Sequence, residues 1–169
     1  MKATLLRITL LASVIFTMNS CSSDASESAD QTATEQSAKV VNYSYNETEI
    51  ATMDLINEYR VSVGLNALER INHISFKSEE HDDYMITNKV VNHNDFVSRS
   101  ENIIKVLGAS RVGENIAYNF TTPEAVVAAW LNSPTHKENV VGNYTHFGIA
   151  IKADPVTGKK YYTNIFAKI

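Results

Sequence analysis

Three side chains between residues 93 and 136 have the chemistry to form a polar site. They are His93 in Asn-His-Asn-Asp, Glu114 in Gly-Glu-Asn and His136 in Ser-Pro-Thr-His. Two imidazoles and a carboxylate match a zinc centre that leaves a fourth position open for water. In that arrangement His93 and His136 are metal ligands, and Glu114 is the general base for a metal-bound water. No His-Glu-x-x-His helix is present, so the groups must converge from separate elements. The same residues also suit a hydrogen-bonded His–Glu–His cluster that pins loops over a sheet, with any metal incidental. His81 sits among small and apolar neighbours, as a core or cavity-edge histidine does. His146 opens a strand beside Phe147, where it either approaches a cavity or simply ends the strand. The sequence has no G-x-S-x-G elbow and no phosphate-binding glycine loop.

The elements that must position these groups follow from hydrophobic spacing and punctuation. Asn46-Glu47-Thr48-Glu49 has the outline of a capping box. Ile50, Met53, Ile56, Tyr59 and Val63 then recur at helical spacing up to Gly64. Leu65 and Leu68 are expected to pack the turn. A second helix spans Ile71 to Asn88, with Ile74, Ser78, His81 and Met85 on one face. Asn92 to Asp95 is a polar loop, and a third helix runs from Arg99 to Leu107 with Ile103, Val106 and Leu107 inward. Val112 to Tyr118 alternates as a short strand does. Thr122-Pro123 and Ser133-Pro134 each start a helix, the first burying Val126, Val127 and Trp130 and the second carrying His136 in its first turn. Tyr144–Lys152 and Lys160–Lys168 form a hairpin around Asp154-Pro155-Val156-Thr157-Gly158. Helices followed by antiparallel strands give an α+β layered domain. Asn115 is expected to support its loop through side-chain hydrogen bonds to backbone.

The start of the chain reads as delivery. Lys2 and Arg7 precede a short apolar run, Ile8 to Met18, that ends at Ser20-Cys21. Residues 1–20 resemble a bacterial lipoprotein signal, with Cys21 as the lipidated residue that ties the mature protein to a bilayer. Residues 21–46 are Ser-rich and acidic with few large apolar side chains, which is the composition of a disordered tether. Residues 47–169 are the folded domain. A net charge of −4 argues against a nucleic-acid partner. One cysteine permits no disulfide within the chain.

From about residue 50 onward the chain resembles the CAP superfamily of cysteine-rich secretory proteins, antigen 5 and pathogenesis-related proteins, in its short bacterial branch without disulfides. The resemblance is carried, in order, by Asn57 and Arg60 with Gly64-Leu65, His81 with Tyr84-Met85, Asn92-His93, and Val112-Gly-Glu-Asn-Ile-Ala. It continues through Pro123 to Trp130, Ser133 to His136, Tyr144 to Gly148, and Tyr161 to Phe166. It implies a three-layer α-β-α sandwich with a central antiparallel sheet. It also implies a cavity lined by two His and two Glu, of which His93, His136 and Glu114 match while Ser133 stands at the second acid. Asn164 replaces the family's glutamine in the last strand. The expected function is therefore a membrane-anchored, extracytoplasmic module that binds an unidentified ligand at the bacterial envelope. The alternative is a metal-dependent hydrolase of envelope peptide or glycan, with zinc as the cofactor.

Overall fold

The computed structural model describes residues 41–169; the expected signal segment, Cys21 and the tether up to residue 40 lie outside the described residues. The elements are α1 (Glu47–Ser62), β1 (Glu69–Arg70), α2 (Asn72–Asn88), α3 (Phe96–Leu107), β2 (Arg111–Tyr118), α4 (Pro123–Asn132), α5 (Pro134–Val140), β3 (His146–Ala153) and β4 (Lys160–Lys168). The sheet order is β1-β3-β4-β2. The three long strands pair antiparallel, as expected. The two-residue β1, not anticipated as a strand, joins β3 in parallel and makes the sheet mixed.

Strand alternation builds the layers, because successive side chains point to opposite faces. On one face Phe147, Ile149, Ile151, Tyr162, Phe166 and Ala117 pack with Met53, Ile56, Val126, Val127 and Trp130 of α1 and α4. On the other, Ile165 and Ala167 pack with Ile74 of α2 and Ile103 of α3. The result is an α-β-α sandwich.

α1 begins with the expected capping box: Asn46 Oδ1 accepts from the Glu49 N–H, and Glu49 accepts from the Asn46 N–H. Its buried face differs from the apolar spacing. Glu49, Thr52, Met53, Ile56 and Arg60 are buried, while Ile50 and Val63 are exposed. Polar residues take those inward positions because the backbone opposite them needs partners. β1 covers only the start of β3, so the next N–H groups of that edge would be unpaired. The Ile149 N–H donates to Ser75 Oγ (3.1 Å) and the Ile151 N–H to Glu49 Oε1 (2.9 Å). Side chains thus close the edge that β1 leaves open. Tyr43 and Tyr45, in the segment expected as tether, hydrogen-bond to Glu49 and Ser75 respectively. Asn57 holds Leu68 through both the N–H and the C=O of its backbone.

α2 meets β3 at Gly148. A Cβ there would lie 2.4 Å from the Ser75 backbone nitrogen and 2.7 Å from its hydroxyl. Gly148→Ala must push α2 away from the sheet and is expected to cost about 1–3 kcal/mol. A lowered chemical-denaturation midpoint checks this, and an unchanged midpoint would contradict the close approach.

Candidate functional site

The site is built on the edge strand β2, where Glu114 and Asn115 are neighbours and so face opposite layers. Glu114 turns toward α3 and the loop before it. Arg99, in the first turn of α3, holds it in a fork: Nε to Oε2 at 3.0 Å and Nη2 to both oxygens at 2.9 and 2.8 Å. His93 Nδ1 meets Glu114 Oε1 at 2.8 Å. The Glu114 side chain is 1% exposed and that of His93 49%. Arg99 also donates through Nη1 to the Asn94 carbonyl (2.6 Å), so one guanidinium fixes the strand and the loop together.

Asn115 turns toward α5. Its Nδ2 donates to the His136 carbonyl (3.0 Å), and its Oδ1 accepts from Asn139 Nδ2 (2.9 Å). Asn139 also donates to the Glu114 carbonyl, and Trp130 Nε1 donates to the Ile116 carbonyl. These bonds cover outward carbonyls of β2. His136 Nδ1 is 2.9 Å from Ser133 Oγ. Burial holds the His136 imidazole below the ordinary histidine value, and the charge of His93 adds to that effect. The two histidines thus flank the same sheet edge, one from each layer.

His81 and His146 do not join them. His81 is buried and places Nε2 2.8 Å from the Asn92 carbonyl, while its Nδ1 has no partner among the described residues. Burial pushes it below the ordinary value, so it braces the α2–α3 loop as a neutral ring. His146 lies on β3 beside β1, with Nδ1 2.8 Å from Thr145 Oγ1 and Nε2 3.6 Å from Glu69.

Glu114 does not fit as the third ligand of a zinc centre. Both Glu114 oxygens face Arg99 and one also faces His93, so the carboxylate is taken up, whereas each site histidine engages only Nδ1 among the described residues and leaves Nε2 open to a ligand. Among the described residues no group of three His, Cys, Asp or Glu side chains is placed to hold a metal. Arg99 is the residue that spacing alone passed over. Its signal was position: with Ile103 and Leu107 it lies at four-residue steps, placing a charge on an otherwise apolar face.

The cysteine-rich secretory protein (CAP) family is matched over residues 53–166. The chain belongs to the CAP family. An uncharacterized membrane protein of Bacillus subtilis, YlbC, is 32% identical over 123 residues, 69% of this chain but 33% of that protein, so the chain spans about a third of that relative. An outer surface protein of Borrelia burgdorferi shares the fold at a TM-score of 0.64 with 21% identity, covering 75% of this chain and 96% of that one. An extracellular SCP-domain protein of Bacillus anthracis does so at 0.63 with 23% identity, covering 72% and 40%. Within this shared CAP fold the Gly-Glu-Asn stretch couples the two helical layers. No helix among the described residues is long and apolar enough to cross a membrane.

Proposed function

We propose that the protein is a non-catalytic binding module of the bacterial envelope, held to the bilayer by acylated Cys21. It presents the rim formed by His93 and His136 to an extracellular envelope component. The observation that carries this reading is the Arg99 fork on Glu114. A carboxylate with both oxygens in a buried ion pair is poorly placed to take a proton from water or to ligate a metal. What it does instead is fix the His93 loop, leaving that imidazole half exposed for contact. The membrane and outer-surface character in the names of the Bacillus subtilis and Borrelia burgdorferi proteins supports an envelope location.

Purified full-length protein incubated with isolated envelope polymers tests this reading. The expected result is co-sedimentation that His93→Ala/His136→Ala weakens at least about tenfold, a difference of roughly 1.4 kcal/mol, with no polymer fragments released. Fragment release that is lost in Glu114→Gln would replace the binding reading with the hydrolase.

A further inference from the structure

Away from this site, α2 carries a second acid into the sandwich. Asp82 is 0% exposed and faces β4, where Thr163 donates to its Oδ1 at 2.6 Å. Among the described residues its Oδ2 has no partner. Nor does Asp82 form a salt bridge among them. To its surroundings its own helix contributes Asp83, α1 contributes the buried Glu49, β4 contributes Thr163 and Tyr162, and the segment before α1 contributes Tyr43. The cation on that side is Lys152 of β3, and Asp83 (2.8 Å) and Glu79 (3.2 Å) already engage it. An ionised carboxylate in this position would be desolvated, would face like charges, and would hold a single hydrogen bond.

We propose that Asp82 enters the folded domain as the neutral acid, so that the α2–β4 contact is a proton-dependent lock that weakens as the medium becomes alkaline. Burial raises its ionisation well above the ordinary carboxylate range; the Thr163 hydrogen bond opposes this, the charges of Asp83 and Glu49 add to it, and Lys152 opposes it least. An unfolded Asp ionises near about pH 3.9. Below that value both states keep the proton and the stability is fully present. Between the unfolded and the raised folded value, the unfolded chain releases its proton first. Stability therefore falls as pH rises through that window. Tyr43 links the same region to the chain entering the domain, through its hydrogen bond to Glu49.

Denaturation midpoints of the full chain and of Asp82→Asn, measured from acid to alkaline pH, test the lock. The expected wild-type midpoint drops with rising pH, while that of Asp82→Asn stays flatter, so that the variant gains relative to wild type at alkaline pH. Infrared spectra of the wild type at neutral pH should show the carbonyl band of a protonated, buried carboxyl group that Asp82→Asn lacks. Parallel pH profiles for the two chains would overturn the proposal. If Asp82→Asn does not fold, the wild-type spectrum decides: a protonated-carboxyl band supports the lock, and its absence at neutral pH refutes it.

Discussion

Arg60→Met is expected to cost on the order of 3–5 kcal/mol, enough to remove much of a domain's stability. Arg60 is 0% exposed. Its Nε donates to the Asn66 carbonyl (2.9 Å), and its Nη1 to the carbonyls of Val140 (2.7 Å) and Gly142 (3.0 Å). Its Nη2 reaches the Tyr144 carbonyl (3.4 Å). The guanidinium therefore ties α1 to the end of α5 and to the loop that enters β3. The carbonyls of Val140, Gly142 and Tyr144 lie at and beyond the α5 C-terminus, where a cation is favoured by the helix dipole. Methionine fills similar space but leaves those acceptors buried without a donor, at about 1–3 kcal/mol for each that water cannot reach. Arg60→Lys keeps the charge and loses the planar fork, and should fall between the two. Thermal unfolding checks this: Arg60→Met should melt at least about 10 °C lower, taking roughly 4 °C per kcal/mol for a domain of this size. A melting point within about 2 °C of wild type would show that these bonds are replaceable.

Arg99→Ala is the second large effect. It leaves the Glu114 carboxylate buried with only His93 beside it. Removing one partner of a buried ion pair costs about 3–5 kcal/mol, because the other charge stays desolvated. The loss should have a local component, since Arg99 also anchors the Asn94 carbonyl. Amide hydrogen exchange across residues 92–96 should accelerate more than across α4. Uniform exchange with unchanged stability would mean that Glu114 is supported by something other than Arg99.

Most of the elements were legible in the sequence, for identifiable reasons. The capping box at Asn46, the Pro123 start and the Asp154–Gly158 turn are local chemistry, and they appear where the residues place them. β1 is too short for alternation to register; its pairing comes from β3, far along the chain. α3 starts at Phe96, ahead of the expected Arg99; Asp95 before it is left-handed and makes no side-chain cap, so the usual start signal is missing. The inward polar residues of α1 were hidden because helical periodicity weighs apolar side chains, whereas Glu49 and Arg60 are buried to meet distant backbone groups. At the site, Glu114 and His93 were found from their residue types. Their relation to Arg99 is tertiary, and it changes the chemistry from a free carboxylate to an ion pair.

The most direct measurement of that change is a double-mutant cycle on the stability of the full chain, using Arg99→Met, Glu114→Gln and the pair. Each single change is expected to be costly, and the double variant should cost less than their sum, with a coupling of about 2–3 kcal/mol. A coupling near zero, with Glu114→Gln as stable as wild type, would contradict the ion pair and return Glu114 to the role of a free acid.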